Sequence, residues 1–370
     1  MSSNLVSVII PSYNRAYCIR RAINSVINQT HRNVEAIVID DGSTDETREL
    51  LQSAYGRDPR VRYVYQTNSG VAAARNRGIA LARGDFVSFL DSDDEFYLWK
   101  LSVQVACLNS LPGAGMIWTD MDAVDPSGVI VARRYLKTMY HAYRLVSQDR
   151  LFEVRRRAYD VIPDLPAIVQ DAELFSGDIF SEMVMGNLVH TSTALLTRER
   201  LQRVKGFNEN LKNAGEDYDL HLRTCREGPV AFLNVSSIRY QIGASDALTN
   251  PSHQLRIALN NLNTILPVIM RDRDRIRLPG RALNNRIAAS YAWIAEAYID
   301  RSECRQALPF VLKSLMYRPG CARCWVFFLF SCLPDRFVAR ARTLFRARKR
   351  MLKGLVLKFS TGLKLSYAKK

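Results

Sequence analysis

Residues 91–94 read Asp91-Ser92-Asp93-Asp94, three carboxylates within four positions. Like charges this close repel unless a cation offsets them. A hard divalent ion with oxygen ligands does so, and it can bridge to a diphosphate at the same time. A solvated acidic loop or helix N-cap has the same composition, but this cluster directly follows the apolar run at 86–90, which puts it at the edge of a core. A second cluster, Asp40-Asp41-Gly42-Ser43-Thr44-Asp45, pairs a turn glycine with residues able to cap a following helix. Capping does not require Asp40 and Asp41 back to back, and one of those carboxylates suits the N–H edge of a base. Glu216 and Asp217 form a third acidic pair. Acids favour a helix N-terminus, and adjacent like charges also raise the apparent pKa of the pair.

The elements around these clusters alternate. Apolar strand-like runs at 6–10, 34–39, 61–65, 86–90 and 116–119 are separated by helical periodicity at 19–27, 46–55 and 71–83. Such alternation implies a parallel sheet covered by helices on both faces, with ligands outside the carboxyl ends of the strands. Pro11 to Asn14, the Asp40 cluster and the Asp91 cluster all fall at those ends. In the stretch Gly70-Val-Ala-Ala-Ala-Arg75-Asn-Arg77-Gly78, small residues let a helix pack closely on the sheet, while Arg75 and Arg77, two apart, point to different faces.

The 370 residues carry a net charge of +16 and are 48% hydrophobic, a globular composition. Between 335 and 370, twelve Lys or Arg face one acid. At 336–359, Phe337, Ala341, Leu344, Leu352, Leu355 and Phe359 fall near one helical face, so this basic segment suits either an anionic membrane surface or a docked surface helix. Nothing resembles a nucleic-acid binding motif. The apolar run at 6–10 is too short for a signal peptide, and no run reaches the ~20 residues of a membrane span. Seven cysteines without framework spacing suit a reducing cytosol, and Cys321 and Cys324 read as unpaired thiols. The basic stretch 133–180 reads as an insertion, and 292–319 as a single tetratricopeptide-like hairpin.

Four segments occur in order: Val-Ser-Val-Ile-Ile-Pro-Ser-Tyr-Asn-Arg (6–15), Ile-Asp-Asp-Gly-Ser-Thr-Asp (39–45), Gly-Val-Ala-Ala-Ala-Arg-Asn (70–76) and Leu-Asp-Ser-Asp-Asp (90–94). Together they resemble the family 2 glycosyltransferases of GT-A fold. Gly186-Asn187 with Thr191-Ser192-Thr193, then Gly206-Phe207, then Gly215-Glu216-Asp217-Tyr218-Asp219-Leu220 look like that family's acceptor-side segments. The resemblance implies an α/β fold with a mixed, mostly parallel sheet flanked by helices. It places the catalytic domain at 1–250 and a helical region at 251–370. It implies a metal-dependent, inverting transfer from a nucleotide-diphosphate sugar, UDP-sugars favoured, to a glycan or lipid-linked glycan acceptor in cell-surface polysaccharide synthesis.

Residue by residue, the resemblance gives Pro11, Tyr13, Asn14 and Asp41 to the nucleoside, with Arg75 by the base or phosphate. Asp91 would flank the sugar–diphosphate, Asp93 and Asp94 would hold Mn²⁺ or Mg²⁺, Glu216 would lie on the substrate side, and Asp217 would be the general base. Where many relatives carry Tyr-Arg-x-His, this chain has Tyr240-Gln241-Ile242-Gly243, so metal ligation is expected to rest on carboxylates alone, with His253 on the surface. A nucleotidyltransferase would need a Gly-rich, Lys-containing phosphate loop, which the first strand lacks. A degenerate transferase kept as a scaffold is the alternative that the missing His leaves open. The expected location is cytoplasmic, peripheral on the inner face of the cell membrane.

Overall fold

A computed structural model describes residues 4–146, 151–162, 165–211, 214–243 and 253–332. The chain divides into two compact units, Met1–Leu278 and Pro279–Lys370. In the first, β1 (Val6–Ser12) and β2 (Val34–Asp40) are buried at every position, which is why they read as continuous apolar runs. They pair in parallel with each other, with β3 (Val61–Tyr65) beyond β2 and β4 (Phe86–Phe89) beyond β1. Helices α1 (Ile19–Ile27), α2 (Thr47–Tyr55) and α3 (Val71–Leu81) make the crossovers. Small residues on α3 serve close packing, as the sequence implies: a Cβ on Gly78 would stand 2.3 Å from Ile9 Cγ2.

The remaining strands are β5 (Glu95–Phe96), β6 (Met116–Val124), β7 (Ile130–Ala132), β8 (Val154–Arg157), β9 (Glu173–Gly177), β10 (Leu195–Thr197) and β11 (Val230–Gln241). The sheet order is β3-β2-β1-β4-β10-β6-β11-β9-β8, with β5 on β11 and β7 on β6. The sheet is mixed and mostly parallel, as the resemblance implies. The short β10 runs antiparallel between β4 and β6, and β9 runs antiparallel to β11 and β8. Antiparallel pairing needs no helical crossover, so the helix–strand rhythm that signals the first four strands is missing here.

Part of the stretch 133–180 is not an excursion from the sheet, because it supplies β8 and β9 at the sheet's edge. Strand β8 is Val-Arg-Arg-Arg, exposed at all four positions, the charged habit of an edge strand rather than of a core one. Beneath it, Trp118, Phe152, Phe175 and Phe232 form an aromatic cluster with ring centroids 5.4 to 6.4 Å apart.

The first unit extends past position 250 because the Gln254–Arg271 helix packs within it, with Asn260 Nδ2 donating to Ala214 O at 2.6 Å. The second unit shows the helices Gly280–Asp300, Cys304–Tyr317 and Ala322–Cys332. The third helix covers the hairpin's apolar face, where Ala295, Ala307, Val311, Cys324 and Phe327 are buried together. The cysteines are free. Among the described residues no helix is long and apolar enough to cross a membrane. The basic segment 336–359 lies outside the described residues.

Candidate active site

The carboxyl ends of β1, β2 and β4 lie side by side, Ser12 opposite Asp40 and Ile9 opposite Phe89, so the three segments after them converge. Asp41 accepts from Gln66 Nε2, Ser69 N and Gly70 N, all at 2.8 Å, which ties the start of α3 to the end of β2. Asp40 accepts from Ser43 N at 2.8 Å and Tyr63 Oη at 2.7 Å. Asn14, at φ +53°, joins the two loops: its N–H donates to Ser43 Oγ and its Oδ1 accepts from Thr44 N. Pro11 is buried at the end of β1, and Tyr13 leaves the sheet with 48% of its surface exposed, free to cover a planar base.

Arg75, 4% exposed, faces the acidic clusters. Its Nη2 donates to Asp91 Oδ1 and its Nη1 to Glu216 Oε1, both at 2.8 Å, and its guanidinium lies over the Phe207 ring at 5.1 Å. Both terminal nitrogens are thus engaged by carboxylates, so the residue expected beside the base or phosphate joins the Asp91 cluster to the Glu216–Arg226 helix. Phe207 is held in place by Asn76, which donates to Phe207 O at 2.9 Å and accepts from Phe207 N at 2.8 Å. Glu216 and Asp217 open the Glu216–Arg226 helix directly after Gly215, whose φ of +86° suits glycine and turns the chain into it. Asp217 Oδ2 accepts from Asn187 Nδ2 at 3.0 Å.

Asp94 is buried, and its Oδ1 accepts from Gln241 N at 3.1 Å while its Oδ2 lies 3.3 Å from His190 Nε2. His190 Nδ1 lies 3.4 Å from Tyr140 Oη, and its ring meets Tyr240 edge-on at 4.9 Å. Tyr140 arrives here because Asp120 and Asp122 of β6 accept from Leu136 N and Arg134 N, pinning the segment beyond 133 to the sheet. Asp91 N donates to Ser192 Oγ at 3.1 Å.

The electrostatics differ along the cluster. Burial would raise the Asp91 pKa, but Arg75 and His190 together pull it below its usual value. Burial and then Asp94 and Asp91 push Asp93 up to about 7. Burial raises Asp94 despite His190, and it raises Asp217 and Glu216 as well, the latter against the pull of Arg75. Burial opposes charge on His190, yet Asp94 and Asp91 outweigh it and raise its pKa.

Asp91, Asp94 and His190 each present a ligand atom, all within 4.8 Å of one another. Two carboxylate oxygens and an imidazole nitrogen form a donor set that suits a divalent ion, and a cation there would relieve the like-charge crowding that raises Asp93. The residues fit the metal that the motifs imply. Carboxylates were expected to act alone because Gly243 leaves the end of β11 without an imidazole, but His190 places one beside Asp94 from the loop before β10. It stands between Gly186-Asn187 and Thr191-Ser192-Thr193, and that placement between two motif segments was the signal available in the sequence.

A family model described as glycosyl transferase family 2 matches residues 7–157. An uncharacterised glycosyltransferase of Rickettsia prowazekii (strain Madrid E) is 33% identical over 253 residues, 68% of this chain and 69% of that one. The chain belongs to glycosyl transferase family 2. The chondroitin synthase of Escherichia coli is 29% identical over 62% of this family 2 transferase, a match that covers 28% of the synthase. The hyaluronan synthase of Pasteurella multocida is 38% identical over 133 residues, 35% of this chain and 14% of that protein. A crystal structure of S. aureus TarS 1–349 in complex with UDP-GlcNAc shares the fold, with a TM-score of 0.54 at 16% identity over 88% of this chain and 89% of that one. The mixed, mostly parallel sheet with flanking helices is the GT-A arrangement of this family 2 transferase.

Proposed function

We propose that this glycosyltransferase takes a sugar from a nucleotide-diphosphate donor, UDP-sugars favoured, by inverting displacement, and passes it to a glycan or lipid-linked glycan in polysaccharide synthesis. The observation that carries this reading is the Arg75 bridge between Asp91 and Glu216, because it ties the Asp91 cluster to the helix that Glu216 and Asp217 open. Pro11, Tyr13, Asn14 and Asp41 form the nucleoside side. Asp91, Asp94 and His190, with Asp93 adjoining, would hold Mn²⁺ or Mg²⁺. Such an ion, when bound, offsets charge on the departing diphosphate. Asp217 takes the proton of the acceptor hydroxyl, and Arg75 keeps Glu216 and Asp91 in register around it.

The nucleotide preference draws on the UDP-GlcNAc in the TarS structure, and the polysaccharide role draws on the chondroitin and hyaluronan synthase relatives. The composition of 336–359 suits attachment to an anionic membrane, which sedimentation with phosphatidylserine vesicles tests. Calorimetry with UDP and Mn²⁺, followed by hydrolysis of a nucleotide-sugar panel, tests the donor. UDP binding that ignores the metal would overturn the metal-dependent reading.

A further inference from the structure

Asn187 sits against two side chains of the Glu216–Arg226 helix. Its Nδ2 donates to Asp217 Oδ2 at 3.0 Å, and its Oδ1 lies 3.4 Å from His221 Nδ1. Asp217 and His221 are four residues apart, so they share a helix face that Asn187 spans. Val189 N–H donates to Asn187 Oδ1 at 3.1 Å. That backbone group only donates, so the amide oxygen must face it and the NH₂ must face Asp217. The same logic assigns the His221 tautomer, with Nδ1–H donating to Oδ1. His221 is fully buried, and burial drives its pKa down to about 3, so the ring stays neutral. Its Nε2 is buried with no hydrogen-bond partner, as the unprotonated nitrogen of that tautomer.

We infer that Asn187 is a positioning residue for Asp217: it occupies one carboxylate oxygen and aims the other at the attacking hydroxyl, while His221 locks the amide. The inference rests on Asp217 being the general base. In the step concerned, the hydroxyl proton moves to the remaining Asp217 oxygen and the hydroxyl oxygen bonds the anomeric carbon. The diphosphate leaves with the electrons of the broken C–O bond.

Several charged or titratable groups face Asp217. Arg75 comes from α3, Asp91 from the end of β4, Tyr140 and His190 from flanking segments, and Glu216 from its own helix. Arg75 and His190 favour its ionised form, whereas Asp91 and burial oppose it. The Asn187 amide adds a neutral donor that orients the carboxylate without competing for its proton.

Two variants test the inference. Asn187→Ala removes the amide, and Asn187→Asp keeps its shape while replacing the donor with an acceptor. In protein labelled with ¹³C at Asp Cγ and loaded with Mg²⁺, the Asp217 resonance is the one lost in Asp217→Asn. Both Asn187 variants are expected to raise its titration midpoint by about one unit. With UDP-GlcNAc and Mn²⁺, kcat for hydrolysis should fall about 10- to 100-fold with KM unchanged, and its acid limb should move to higher pH. His221→Phe should shift both readouts the same way by a smaller amount. A wild-type midpoint in both Asn187 variants overturns the inference. The titration needs no turnover, so it reads the Asp217 carboxylate whatever the donor sugar is. Wild-type hydrolysis by Asp217→Asn would instead remove the base role of Asp217, a separate failure.

Discussion

The two halves of the site treat their carboxylates differently. On the side proposed for the nucleoside, Asp40 and Asp41 have donors from their own chain on all four oxygens, and those bonds hold the loops at 41–45 and 66–70 together. On the side proposed for the metal and the base, Asp91, Asp93, Asp94, Glu216 and Asp217 gather near Arg75 and His190. Glu216 Oε2 and Arg75 Nε are buried there with no hydrogen-bond partner. Pairs of acids at strand or helix ends thus have two uses. Where backbone N–H groups converge, carboxylates build the scaffold; where few donors converge, their charge is left for a cation or a proton.

The sharpest way to break this contrast is Asp217→Asn. Sugar transfer or donor hydrolysis should fall by about 10² to 10⁴ while Mn²⁺-dependent UDP binding persists, since only proton transfer is lost. Steady-state kinetics and calorimetry on one preparation check both halves of that statement.

Arg75→Met comes next. It strands buried Glu216 and half-buried Asp91 without their counter-charge and should destabilise the fold by about 3 to 5 kcal/mol at neutral pH, measured by urea unfolding. The pH dependence has a defined sign. Asp91 has its pKa lowered in the folded protein, so its contribution is complete above the ordinary carboxylate value and is lost as pH falls through the lower, folded value. The variant should lack that part of the acid-side loss, and an acid-side slope equal to the wild type would sink the assignment.

His190→Ala should weaken Mn²⁺ binding by about 10- to 100-fold in calorimetry, more than Asp93→Ala does, because Asp93 stands outside the closest set of ligand atoms. A larger loss in Asp93→Ala would return the metal to the carboxylates. The smallest effect belongs to the self-satisfied half. Asp41→Asn sets an NH₂ group against N–H donors and should destabilise by about 1 to 3 kcal/mol, with Mn²⁺ affinity unchanged. A drop in Mn²⁺ affinity there would show that the two halves are coupled.

The nucleoside half was the more legible in sequence. Strands β1, β2 and β4 are buried on both faces and end in turn chemistry, so local pattern alone placed Pro11, Asn14, Asp41 and Asp91 at strand ends. The other half depends on long-range pairing. His190 meets Asp94 across 96 positions and Arg75 meets Glu216 across 141. No periodicity records such partners. The edge strand β8 was hidden for a different reason: an exposed Arg run satisfies the ladder through its backbone while its side chains read as a solvated loop.

What the sequence determined by itself was the alternating α/β core and the identity of the acidic clusters, because burial and turn formation act over a few residues. Tertiary structure decided which partners each acid has. Whether a carboxylate is a tie, a ligand or a base depends on the donors and charges brought to it. For Asp91, Asp94 and Asp217 those are Arg75, His190 and Asn187, all distant in sequence and brought close by the order of strands in the sheet.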